Sequence, residues 1–127
     1  MRHLLDTHAL IWFINGDVEL SAKARNAIES EGAENFVSIA SLWEMAIKIS
    51  LERLDLKSTF KEVGEHMTNN NFKILPISFE DILKISGLPF HHRDPFDRMI
   101  IAQSLTNNLI IISKDKLFDD YPVDLIW

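Results

Sequence analysis

The chain contains no cysteine. That excludes disulfides, thiolate metal sites and cysteine nucleophiles, and it fits a reducing compartment. No segment approaches the ~20 uninterrupted apolar residues a membrane-spanning helix needs. The apolar stretch near the N-terminus is broken early by Asp6 and His8, with no small-residue cleavage site after it. It does not read as a targeting signal. Internal repeats, low-complexity runs and linkers are missing too. These absences predict one cytoplasmic domain over residues 1–127. Positive charge is also scarce: 13 Lys and Arg against 19 Asp and Glu give a net charge of −6. Taken alone, this argues against binding nucleic acid through a broad basic surface. What remains, 46% hydrophobic and 25% charged residues, suffices for a core without staples.

Short apolar runs alternate with segments of helical spacing. Strands are expected at His3–Leu5, Asn35–Ser38, Phe72–Pro76, Leu109–Ile112 and, at an edge, Val123–Trp127. The run Leu109–Ile112 is apolar throughout, as parallel strands buried on both faces are. Helices are expected at Ala9–Ile14, Ser21–Glu31, from Ser38 or Ser41 to Leu51, Thr59–Thr68, Phe79–Ser86 and Asp94–Asn107. Asn15-Gly16, Gly32, Asn69-Asn70-Asn71 and Gly87 are the stops. This alternation predicts an α/β fold: a three-layer α/β/α domain around a central, mainly parallel sheet. In such sheets the ligand cleft lies beyond the carboxyl ends of the strands.

Four acids fall where a carboxylate can face that cleft. Asp6 and Asp115 follow predicted strands; Glu44 and Asp97 lie in the first turns of helices. Each has a plain structural alternative. Asp6 can cap a helix, at about 1 kcal/mol. Glu44 can pair with Lys48 on a helix surface, at about 0.3–0.5 kcal/mol, although its neighbours Leu42, Trp43, Met45, Ala46 and Ile47 are strongly apolar. Asp115 can be a turn residue. In Asp94-Pro95-Phe96-Asp97 the first acid suits the N-cap and Pro the first helical position. Capping is therefore assigned mainly to Asp94, which can still reach the site from its rim, and Asp97 is expected to point into the cleft.

Gathered carboxylates repel one another and make sense chiefly as a cage for a hard divalent cation. A cage without Cys or paired His points to Mg²⁺ or Mn²⁺ and to phosphate chemistry. Setting the four acids aside leaves a nearly neutral remainder, so local cations matter more than the total. Lys48, Arg93 and Arg98 stand near the proposed ligands as substrate-adjacent candidates, and Ser113 can orient a carboxylate or a water. The five histidines show no metal-ligand spacing. His91 and His92 are expected on a solvated loop, and Trp12, Trp43 and the phenylalanines in the core.

Read in order, the segments LLDTHALIWFINGD, SIASLWEMAIK, HHRDPFDRMIIAQSL and IIISKD closely resemble the PIN-domain ribonucleases. The similarity is nearest to the VapC-type toxins of prokaryotic toxin–antitoxin pairs, and it extends to the closing VDLIW. The resemblance implies an endoribonuclease that hydrolyses RNA phosphodiesters with metal-activated water, leaving 5′-phosphate and 3′-hydroxyl ends. It implies Mg²⁺ or Mn²⁺ on Asp6, Glu44, Asp97 and Asp115, with Asp94 a further candidate. It also implies a homodimer and a cognate VapB-like antitoxin. Ser113 departs mildly from the Thr often found before the last acid, and Lys114 stands where many relatives carry a small residue. Two rival readings are a different Mg²⁺-dependent phosphohydrolase and a non-catalytic PIN-like binding module. An aspartyl-phosphate enzyme typically has a second Asp two residues after the nucleophile; here His8 occupies that place.

Overall fold

The computed structural model describes all 127 residues. Its sheet has five strands: β1 (Arg2–Leu5), β2 (Glu34–Ser38), β3 (Lys73–Leu75), β4 (Ile110–Ile112) and β5 (Leu125–Ile126). They lie in the order β3-β2-β1-β4-β5, and every neighbouring pair is parallel. Alternation along β1 decides which residue goes to which side. Leu4 stands beside Phe36 and Ile111, Leu5 beside Val37 and Ile112. Leu5, Val37 and Ile112 join one buried cluster, Leu4 and Ile111 another.

The helices cover both faces. On one side lie α1 (Thr7–Asn15), α2 (Ala22–Glu29), α3 (Ile39–Ser50) and α4 (Phe60–Asn69), contributing Leu10, Ile28, Met45 and Met67 to the first cluster. The other side holds α6 (Pro95–Asn107), with Ile100 and Ile101, and a 3-10 helix at Lys116–Asp120, with Phe118. Helix α5 (Phe79–Ser86) packs on α6. No helix is long and apolar enough to cross a membrane.

The elements start and stop for local reasons. Gly16 closes α1 at φ 63°, a left-handed conformation without Cβ strain in glycine. Ser38, not Ser41, caps α3, its Oγ accepting from Ala40 N at 3.1 Å. Thr59 with Glu62 and Ser78 with Asp81 form reciprocal capping boxes. The strand expected over Phe72–Pro76 pairs only at Lys73–Leu75. Phe72 turns inward against Phe13, ring centres 5.3 Å apart, and Pro76 has no N–H for the ladder. The edge strand likewise shortens to Leu125–Ile126.

The expectation that the tryptophans and phenylalanines fill the core needs correction. Trp43 is 62% exposed, Phe79 72% and Phe90 79%. Trp43 sits on the outer flank of α3, its ring edge-on to Phe96 at 5.4 Å. With Ile82 and Leu83, also exposed, these residues put apolar side chains on the α5 side of the molecule, among the exposed Glu80 and Lys84.

Candidate metal centre

Because β1 and β4 are adjacent and parallel, their carboxyl ends emerge side by side. Asp6 N donates to Ile112 O at 3.1 Å, closing the end of that ladder. Asp6 is buried. Its Oδ1 caps α1, accepting from Ala9 N at 2.8 Å, and its Oδ2 accepts from Ser113 Oγ at 2.5 Å. The same Ser113 oxygen accepts from Asp115 N at 3.0 Å. One hydroxyl thus ties the two strand-end acids together. Asp115 is similarly divided: Oδ1 caps the 3-10 helix through Leu117 N at 2.9 Å, while Oδ2 turns toward His92.

Glu44 reaches the cleft from α3 and is buried. Thr7 Oγ1 donates to its Oε1 at 2.6 Å, and Lys48 Nζ lies 3.3 Å from its Oε2. Asp97 enters from the first turn of α6. Asp94 caps that helix with Oδ1, accepting from Phe96 N and Asp97 N at 2.8 and 3.0 Å.

His92 is where the loop expectation fails. It is buried, not solvated. Its Nδ1 accepts from Asp94 N at 3.2 Å, so its ring proton lies on Nε2. That nitrogen sits 3.1 Å from Asp97 Oδ2 and 3.2 Å from Asp115 Oδ2. Tyr121 holds the loop in place: its hydroxyl accepts from His91 N and His92 N and donates to Pro89 O. The candidate ligand atoms of His92, Asp97 and Asp115 all lie within 4.8 Å of one another. Asp6 and Glu44 stand outside that tight set, yet their charges act on Asp97.

The electrostatics register this crowding. Burial, with the charges of Asp94, Asp6 and Glu44, raises Asp97 to about 7 against the pull of His92. Burial likewise raises Asp6, with a smaller push from Asp115, while the hydrogen bonds from Ser113 and Ala9 and the charge of His8 oppose it. A hard cation fits such a set. The acids offer only oxygen, and they are oriented by two hydroxyls (Ser113 and Thr7), the His92 ring and one lysine.

Other expected site residues lie elsewhere. Arg98 is not at the cleft. Its guanidinium is buried and donates to the backbone oxygens of Pro89, Ile85 and Leu88 at 2.9, 3.2 and 3.3 Å. Pro89 O also accepts from Tyr121 and Ile85 O from Leu88 N, and the planar, multi-donor guanidinium ties these two carbonyls and that of Leu88 together. Arg93 is exposed and lines an apolar groove with Trp43, Phe90 and Phe96. Lys48 does lie at the cleft, held by Glu44. Thr7 and His92 were not foreseen as parts of the site. Thr7 adjoins Asp6 in sequence, but nothing there signals its reach to Glu44, 37 positions away.

Two outcomes follow. In chelator, Asp97→Asn should stabilise the protein. The folded-state value near 7 lies above the ordinary 3.8, so the parent loses stability as pH rises from about 4 to 7. The variant's gain should be near zero at the acid end and reach about 5 °C in Tm at pH 8, read by thermal melting. Arg98→Ala should cost roughly 2 kcal/mol in urea unfolding, because Leu88 O loses its donor while Pro89 O keeps Tyr121 and Ile85 O keeps Leu88 N.

Known proteins share this fold. The sequence matches the PIN domain family over residues 3–124. No curated protein matches it. Among solved structures, VapBC2 from Rickettsia felis bound to a promoter DNA fragment aligns at TM-score 0.71 and 15% identity, covering 98% of this chain and 97% of that one. FitAcB from Neisseria gonorrhoeae aligns at 0.68 and 16%, covering 98% and 96%. A toxin–antitoxin complex from Klebsiella pneumoniae aligns at 0.61 and 22%, covering 90% and 87%. At these identities the structures share the fold. The family match spans nearly the whole chain: this protein belongs to the PIN domain family.

Proposed function

We propose that this protein is a Mg²⁺- or Mn²⁺-dependent endoribonuclease, the toxin of a toxin–antitoxin pair acting in the cytoplasm. The observation that carries the reading is the meeting of Asp6, Glu44, Asp97 and Asp115 at one sheet edge, where Asp97 and Asp115 share the His92 ring and the charges of Asp6 and Glu44 reach Asp97.

Two carboxylates about 4 Å apart repel by roughly 4 kcal/mol near a protein surface. Left so, the cleft would repel an RNA phosphate. When bound, a hard divalent cation reverses the sign of the cleft, attracts a phosphate oxygen and acidifies water. The four acids are the proposed ligands, with Asp94 at the rim. Ser113 fixes the orientation of Asp6, Thr7 that of Glu44, and the Nε2–H of His92 those of Asp97 and Asp115. A ligand oxygen fixed beforehand need not be ordered when substrate arrives. Water then adds to phosphorus, the leaving 3′-oxygen takes up a proton, and the products end in 5′-phosphate and 3′-hydroxyl.

The partners are a cognate antitoxin and a second copy of the chain. Support for the antitoxin comes from the shared fold with proteins solved as toxin–antitoxin complexes. Self-association is supported by the exposed apolar residues on α5, Phe79, Ile82 and Leu83.

Asp6→Asn and Asp97→Asn should each lower metal-dependent RNA cleavage at least ~100-fold while keeping a cooperative melt. Cleavage at parental rates in both variants would end the nuclease reading. Leu83→Glu should shift the protein from dimer to monomer in analytical ultracentrifugation; an unchanged sedimentation coefficient would remove α5 from the interface.

A further inference from the structure

Against α1, beside the cation cage, lies a second feature. Asp6, His8, Trp12, Lys114 and Asp115 line an open depression of about 280 Å³. It shares two acids with the cage, so a group held there sits next to the reacting phosphate. Its wall is aromatic. His8 and Trp12 lie with ring centres 5.6 Å apart and planes 35° apart, and Trp127 backs Trp12 at 5.8 Å. His8 is exposed and Trp12 half-buried, so rings are available to solvent from a fixed base.

Lys114 supplies the charge. Its Nζ lies 5.9 Å from the Trp12 ring centre and 2.9 Å from Glu19 Oε2, with both side chains more than half exposed. An exposed pair of this kind contributes little, because water and salt screen it. Lys114 can therefore exchange Glu19 for a phosphate at small cost. In a chain of net charge −6, Lys114 places a cation beside two acids of the cleft.

Flat rings and one cation suit a nucleotide. Every base offers a π-face, and stacking on an aromatic side chain needs no particular sequence. The base must be unpaired, because a paired base in an A-form helix keeps its faces inside the stack. The depression is smaller than the ~300 Å³ at which drug-sized pockets begin, which suits a single ring system.

Resting on the nuclease reading, we propose that the depression walled by His8, Trp12 and Lys114 is a nucleotide subsite: an unpaired RNA base next to the scissile phosphate stacks on Trp12 and His8, and a neighbouring phosphate takes Lys114 from Glu19.

The test is binding of a short fluorescent single-stranded RNA, followed by anisotropy with Mg²⁺ present, in an Asp97→Asn background so that binding alone is read. Adding Trp12→Ala should weaken binding by about tenfold or more, while Trp12→Phe, which keeps a ring, should restore most of the loss. His8→Ala should weaken it in the same direction. Lys114→Ala should weaken it and reduce the slope of affinity against salt. With an abasic nucleotide at the stacked position, the Trp12→Ala protein and its Trp12 counterpart should bind alike. His8 and Lys114 are surface residues, so their variants remain informative if Trp12→Ala fails to fold. Equal affinity across folded variants, with the parent still cutting RNA, overturns the subsite alone and leaves that face to a protein partner. Absence of RNA binding in all variants, together with no cutting by the parent, overturns both subsite and nuclease.

Discussion

Repulsion among carboxylates is the constraint around which this molecule is arranged. Isolated, Asp6, Glu44, Asp97 and Asp115 would seek water. The fold instead buries Asp6 and Glu44 and half-buries Asp97 and Asp115. What holds them there is distant: two apolar clusters on opposite faces of the sheet fix β1 against β4 and set α3 and α6 beside them. Core burial thus sustains an arrangement that is unfavourable where the acids meet: burial first, and the neighbouring acids after it, raise the proton affinity of Asp97.

Capping and ligation are often weighed as alternatives for an aspartate at an element end. Here they are divided between the two oxygens of one group. Asp6 caps α1 with Oδ1 and faces Ser113 with Oδ2. Asp115 caps its 3-10 helix with Oδ1 and faces His92 with Oδ2. The cap fixes the rotamer and so aims the second oxygen. Asp94 shows the other case, one oxygen taking both backbone N–H groups of the helix start.

The flanks of the cleft differ in kind. Toward α5 the surface is aliphatic and aromatic, and its arginine, Arg98, is sunk among loop carbonyls rather than offered to substrate. Toward α1 the aromatic rings stand with an exposed lysine. The first flank suits protein, which covers apolar area; the second suits nucleic acid, which brings charge and flat rings together.

Much of this was legible in the chain. Alternation of strand-like and helix-like segments carries the layered α/β class, because the two periodicities are local. The capping signals at Asp94, Ser78 and Thr59 work within three residues. Asp6 and Asp115 after strand ends and Asp97 at a helix start mark the sheet edge that matters, whereas Glu44 lies one turn further into its helix than expected. Burial of His92, exposure of Trp43 and Phe90, and the inward turn of Arg98 had no such local sign. Each is decided by what another element places beside it: Asp115 and Tyr121 for His92, the end of α5 for Arg98, the open flank of α3 for Trp43. The sequence by itself determined which residues carry charge and which segments become helix or strand, since those depend on neighbours along the chain. Only the tertiary structure decided which charges meet and which rings reach water, because contact across dozens of residues is set by packing.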